Sequence, residues 1–456
     1  MPAGDRPITL AGMTRILTLV MACLVVDGAC AAATAFLNVN VIPMTEERVI
    51  AAQTVIIEDG VITQIGPVDA VPLPEGIEVV DGTDRFLMPG LAEMHAHVPG
   101  DAGEIDRVLT LFAANGVTTM RGMLGRPAHL ELREELLRGG RFGPRLITSG
   151  PSLNGNSVNG PADGERKVRD QHAAGYDFLK IHPGLTASEY RAIAATADEL
   201  GIPFAGHVPA SVGLEGALDV RMATIDHLDG YMAALMPKEH DRSGGYGGFF
   251  DVLLANQVLE NLIDEVAAAT VAAGTWNVPT QSLIEQLVND ESVAELSSRP
   301  ENRYMPQETV DRWAAAKERQ LGERGFTPEI GARAIEVRRK IILALHEAGA
   351  GLLLGSDAPQ IFNVPGFAVH RELGFLVAAG LSPFEALQTG TTAPAAFLGI
   401  DTGAVAVGKE ADLVLLDANP LEDIANSRRV HGVMLRGSWH DSADLQNRLE
   451  PFERGD

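Results

Sequence analysis

The chain has 456 residues, 46% hydrophobic and 21% charged, the balance of a globular protein with room for one large domain and a smaller companion. A formal net charge of -25 argues against nucleic acid as a partner, which wants a basic face. Its 2 cysteines, Cys23 and Cys30, fall in the first segment, so the remainder can hold a metal only through imidazole and oxygen donors, a set that suits zinc, manganese, iron or cobalt.

Residues 1–31 read as a secretory signal that starts at Met13: Arg15 supplies the positive flank, Ile16 to Val26 the apolar core, and Ala29-Cys30-Ala31 a small-x-small cleavage site. The apolar run is too short for a stable membrane span, and a secreted or periplasmic location is the expectation. From 35 to 86 short strands and turns follow. Thr54 to Ile62 is a hairpin joined at Asp59-Gly60. The same style returns after residue 400, with a turn and strand over Gly408 to Asp417 and another strand over Val430 to Arg436. The two ends (35–86 and 400–445) are expected to pair into a small composite β-sandwich.

Between them, over 87–399, short apolar runs alternate with helical segments, the pattern of a parallel sheet covered by helices. The strand candidates are Leu87–Met94, Val117–Met123, Arg145–Ser149, Phe178–Ile181, Pro203–Gly206, Thr224–Asp226, Trp276–Thr280 and Gly351–Gly355. Thr186 with Glu189 forms a capping box before a helix to Leu200. Thr327 and Pro328 open another that runs to about Ala348. Phe367 to Ala379 and Pro383 to Thr389 are helices after the last strand. A long stretch from Tyr231 to Val271 contains Ser243-Gly244-Gly245-Tyr246-Gly247-Gly248-Phe249-Phe250, the composition of a mobile lid or pocket wall. Eight such units predict an α/β fold, a (β/α)8 TIM barrel. Chemistry in that architecture collects at the C-terminal strand ends.

Chemistry-bearing residues stand at those ends. Pro89-Gly90-Leu91-Ala92-Glu93-Met94-His95-Ala96-His97 enters a Pro-Gly step and ends in His-x-His. Residues two apart on a strand share a side, so His95 and His97 can reach one metal together. Lys180, His207, His227 and Asp357 each lie in or just after a later apolar run. The ordered set resembles the amidohydrolase superfamily, in its binuclear-metal branch that holds imidazolonepropionase-like and Xaa-Pro dipeptidase-like proteins. The likeness covers nearly the whole chain after the leader.

That resemblance implies a hydrolase of C–N bonds. His95, His97 and Asp357 would bind one divalent ion, zinc in the family's usual form, and His207 and His227 a second. Lys180, which as an ammonium has no lone pair to offer, would become an N6-carboxylysine bridging the two. A shared hydroxide would attack the scissile carbonyl, with Asp357 as general base and proton shuttle. A dipeptide or N-acyl amino acid is the expected small-molecule substrate, and a homo-oligomer the expected assembly. Tyr231 is a candidate hydrogen-bond donor to the carbonyl oxygen, and His182 a candidate substrate contact. Asp226 is expected to face away from the site, His370 to pack, and Arg121, Arg221 or Arg371 to anchor a substrate carboxylate. Three alternatives stay open: a cyclic amide, lactone, carbamate or phosphoester as substrate; a mononuclear deaminase; and a non-catalytic binding protein. Deaminases of this barrel carry a glutamate three residues after the fifth-strand histidine, where this chain has Ala210. Glu93 stands where the family has aspartate.

Overall fold

The computed structural model describes residues 33–237 and 248–455. The leader over 1–31 and Ser243–Gly247 of the glycine-rich stretch lie outside them.

The first strands are β1 (Thr34–Val41), β2 (Ile50–Glu58), β3 (Val61–Pro67), β4 (Glu78–Asp81) and β5 (Phe86–Pro89). Next come β6 (Leu91–Ala96), β7 (Val117–Gly122), β8 (Arg145–Thr148), β9 (Leu179–Ile181), β10 (Phe204–Gly206), β11 (Thr224–Asp226) and β12 (Trp276–Val278). The chain ends with β13 (Leu413–Leu416), β14 (Val430–Leu435) and β15 (Ser438–Asp441).

Both chain ends share one eight-stranded sheet, in the order β15-β14-β13-β5-β1-β2-β3 with β4 beside β1. Hydrogen bonding makes it one continuous sheet. Phe36, Val55, Ile57, Leu87, Leu413, Leu415 and Met434 bury one another in a core of their own, which requires the sheet to curl over itself. The alternate residues Met88, Val414, Leu416 and Val433 join the main core instead. Period-two alternation therefore glues the small sheet to the large domain.

The main domain carries two all-parallel sheets, β6-β7-β8 and β12-β11-β10-β9. Parallel bridges Ser149↔Phe178 and Leu153↔Ile181 connect them on one side. On the other, Gly351–Gly355 forms no strand of its own, yet Asn277 bridges Leu352 and the Met94 amide donates to the Leu354 carbonyl at 2.8 Å. Helices fill the crossovers. The helix Ala187–Leu200 has the full Thr186/Glu189 capping box and ends at Gly201 in the left-handed region. Pro328–Ala348 opens at Thr327 and ends at Gly349, also left-handed, as the sequence signals require. No helix of the described residues is long and apolar enough to cross a membrane.

One expected strand, Leu87–Met94, is two. Gly90 breaks it, and β5 and β6 enter different sheets. A Cβ at Gly90 would lie 2.1 Å from Thr118 Cγ2, so only glycine allows this backbone-to-side-chain approach.

Candidate metal centre

His95 lies on β6 and His97 one residue beyond it. Asp357 follows the Gly351–Gly355 segment with φ of 60°. Its Oδ1 sits 2.6 Å from His97 Nε2 and 3.6 Å from His95 Nε2. One ligand atom from each of these three residues falls within 4.8 Å of the others, the arrangement needed to hold a metal ion. The His227 ring stands 4.5 Å from His95 and 4.6 Å from His207 between centroids. Lys180, on β9, is completely buried in the same space. The structure thus brings together all six residues expected to bind metal.

Local constraints aim these side chains. The Asp357 amide donates to the His95 carbonyl at 2.8 Å. Glu93, fully buried, accepts from the His95 amide at 2.8 Å and the Ser356 amide at 2.9 Å, and also from the Ser356 hydroxyl. It clamps the two ligand-bearing segments together, and burial pushes its carboxyl up to about 8. His207 Nδ1 lies 2.6 Å from Asp229 Oδ2. An ionised carboxylate only accepts, so Nδ1 carries the proton and Nε2 keeps its lone pair for a metal. His227 Nδ1 is 2.8 Å from Thr280 Oγ1.

Asp226 corrects an expectation. It faces the site, with Oδ2 3.0 Å from His95 Nδ1 and 3.7 Å from Lys180 Nζ. The chain leaves β11 at Asp226, and His227 adopts φ of 62°. Strand alternation no longer applies there, and both side chains turn to the same group.

Three buried atoms in this space, His95 Nδ1, Lys180 Nζ and Asp226 Oδ2, have no hydrogen-bond partner. The 3.0 Å approach of His95 to Asp226 is close enough but misaligned. Buried polar atoms without partners are costly, and a cluster of them fits a cationic group that completes the site. Burial holds His95 and His227 well below the ordinary imidazole range, and it lowers the Lys180 ammonium against the pull of Asp226. Those neutral forms are the ones able to ligate metal or to react with carbon dioxide. Gly206, φ 121°, makes room: a Cβ there would come within 2.9 Å of Lys180 Nζ.

The remaining candidates are placed as follows. His182 stacks on His207 at 5.0 Å, with Nδ1 2.7 Å from Ser152 Oγ, and faces the site edge. Tyr231 does not reach the group. Its hydroxyl is buried 2.9 Å from Thr270 Oγ1 on the helix Ile263–Ala273, in the layer between strands and helices. His370 packs between Ser427 Oγ and the Asn115 carbonyl. Arg121 donates to the Met94 carbonyl, Thr224 and Asp226. Arg371 pairs with Glu301 and the Phe362 carbonyl. Neither arginine lines the cavity beside the site. Arg221 lies on the rim of a cavity beside the site.

Three contributors escape a reading of motifs, and a fourth, Phe250, comes from the stretch expected to form a lid or pocket wall. Asp229 orients His207, and Thr280 contacts His227. Phe250, φ 51°, lies over His227 at 4.8 Å and His207 at 6.1 Å. Arg338, from the helix Pro328–Ala348, donates to the His227 and Pro279 carbonyls and to Gln281. Of the three, Asp229 alone carried a signal, as an acid two residues after His227.

Fold and site define a metal-dependent hydrolase acting on C–N bonds. The chain belongs to the Amidohydrolase family, which matches residues 86–440. Among solved structures it is similar to a bottromycin amidohydrolase (24% identity, 92% of this chain and 90% of that one, TM-score 0.69). It is similar to a Xaa-Pro dipeptidase with bound methionine (20%, 90% and 100%, TM-score 0.66). A candidate prolidase from Bifidobacterium longum is also similar (23%, 93% and 99%, TM-score 0.66). No curated protein matches.

Proposed function

We propose that the protein hydrolyses the amide bond of a small peptide-type substrate, a dipeptide or N-acyl amino acid, at a site for two divalent ions. The observation that carries this reading is the group of unpartnered buried atoms around Lys180. His95, His97 and Asp357 would hold one ion and His207 and His227 the other, with zinc the ion best suited to these donors. Lys180 Nζ would add to the carbon of carbon dioxide and release a proton, which makes a carbamate whose oxygens could ligate a divalent ion. Bound divalent ions supply Lewis acidity that makes water a nucleophile at neutral pH and polarises the scissile carbonyl.

The chain's own groups do the rest. Asp357, held beside His97, takes the proton of the attacking water and delivers it to the leaving amine nitrogen. Asp229 fixes the His207 tautomer, and Phe250 shields the two imidazoles from water. Tyr231 is given no part. We read the two parallel sheets as parts of one closed eight-stranded barrel, supported by the bridges at Ser149, Asn277 and Ala96. The protein works outside the cytoplasm in this reading, after cleavage of a leader ending near Ala31. The mass of the exported protein tests that cleavage.

Metal content by elemental analysis, on protein grown with bicarbonate and without chelators, tests the centre. About two ions per chain are expected for such a binuclear site. Lys180→Ala should bind fewer and lose about 100-fold or more in kcat/KM. One ion per chain in the parent protein, or near-normal activity in Lys180→Ala, overturns the binuclear reading.

A further inference from the structure

A cavity of about 2230 Å³ opens beside the imidazoles, with His207, Asp229 and Phe250 in its lining. Sites for small molecules occupy roughly 300–1,000 Å³, so a dipeptide would leave much of this space unfilled. The far wall is the helix Ile263–Ala273, which has two apolar faces. Ile263, Ala267 and Thr270 are buried against the core. Val266, Ala269 and Ala273, three and four residues apart, line the cavity instead. Leu262, Leu214 and Leu254 extend the same surface. Apolar surface left facing solvent in a concave site marks a ligand contact.

The charge of the lining is one-sided. Among the described residues, Glu215, Asp219, Asp229, Asp251, Glu265 and Glu323 line the cavity against Arg221 and Arg319. Arg121 and Arg371 do not reach its lining. Burial and the neighbouring Asp229 together push the Asp251 carboxyl up to about 6, a sign of how strongly this space disfavours further negative charge. A substrate carboxylate entering here would meet repulsion and find few partners.

We propose that the cavity takes bulky apolar amides with no free carboxylate, with the apolar end against Val266 and Ala269 and the scissile bond at the imidazoles. This rests on the hydrolase reading and narrows it: the peptide-type substrate enters with its carboxyl end blocked.

The test compares leucyl-phenylalanine amide, leucyl-phenylalanine and leucyl-glycine amide on the metal-loaded protein, with released leucine as readout. The blocked phenylalanine substrate should exceed the free acid in kcat/KM by about tenfold or more, the scale of one unfavourable charge contact. Ala269 is exposed into the cavity, so Ala269→Trp fills space without disturbing the core. It should lower kcat/KM for leucyl-phenylalanine amide about tenfold and leave leucyl-glycine amide within about twofold. Preference for the free acid, or equal effects of Ala269→Trp on both amides, overturns the cavity proposal and leaves the hydrolase standing. Calorimetry with the product-like ligands separates the two readings even without turnover. Phenylalanine amide should bind more tightly than phenylalanine. Leucine release absent while that preference holds would defeat the hydrolase reading alone; equal or reversed binding defeats the cavity proposal.

Discussion

Gly206 and Lys180 show how a backbone conformation decides a side chain's chemistry. Gly206 has φ of 121°, and a Cβ there would also approach the Ile181 carbonyl oxygen to 2.5 Å. An alanine would be strained in its backbone and would push on the Lys180 side chain at once. Gly206→Ala should therefore lower metal content and reduce kcat/KM by about tenfold or more, measured by elemental analysis and steady-state kinetics. Unchanged metal content would show that Lys180 has slack in its pocket. The residues that meet at the site were legible as a group because each lies in or just after a short apolar run, and a strand end is where a barrel places its chemistry. Asp226 was misjudged because alternation holds only while the chain is extended. Nothing local announces the left-handed φ of His227 that follows it. Tyr231 was misjudged for a related reason: His227, Leu228 and Gly230 all take left-handed φ, and the short helix Tyr231–Ala234 that follows directs the ring to Thr270.

At the scale of elements, buried polar residues on helices position the loops that hold the ligands. Arg338 donates to three acceptors at 2.7–2.9 Å, one of them the His227 carbonyl. Arg338→Met would keep much of the volume and strand those acceptors. The expected loss is about 3 kcal/mol of stability by urea denaturation, since each buried unsatisfied group costs about 1–3 kcal/mol. A loss under about 1 kcal/mol would mean that the loop relaxes to other donors. His370 ties the helix Phe367–Ala379 to Ser427 and Asn115, and burial lowers it to about 4. With an unfolded value near 6.5, the unfolded chain binds more protons than the folded one between these two values. Stability from His370 is therefore complete above about pH 6.5 and is lost as pH falls toward 4. The loss is on the order of 3 kcal/mol at 1.36 kcal/mol per unit. His370→Gln should flatten the acid limb of a stability-against-pH curve; an unchanged limb would assign it to other groups. The helices Ala187–Leu200 and Pro328–Ala348 were legible from caps at Thr186 and Thr327. The Gly351–Gly355 segment was legible as apolar but not as irregular, because its pairing depends on partners from β6, β12 and Thr389.

The whole molecule joins its two ends to hold its centre. β13 from the C-terminal segment pairs antiparallel with β5, from Leu413↔Pro89 to Leu416↔Phe86. The Gly90 amide donates to the Asp412 carbonyl at 2.9 Å, and β6, which carries His95, begins at the next residue. The composite nature of the sheet was legible in the matching turn-strand style of both ends. Its role as an anchor for His95 was not, because that depends on the break at Gly90, a close approach to Thr118 fixed only in three dimensions. A chain ending at residue 404 would leave β5 with an unpaired edge and would expose Leu87 and Met88, both now buried. Exposed apolar strand edges recruit other chains. The truncated protein should aggregate, and any soluble fraction should bind less metal than the full chain because β6 loses its fixed entry. Coexpression of residues 405–456 as a separate piece should restore both solubility and metal content, since the pairing of β13 with β5 needs no covalent link. A truncated protein that stays monomeric with full metal content would show that the barrel alone orients His95. The small sheet would then be a cover over β5, with no part in building the site.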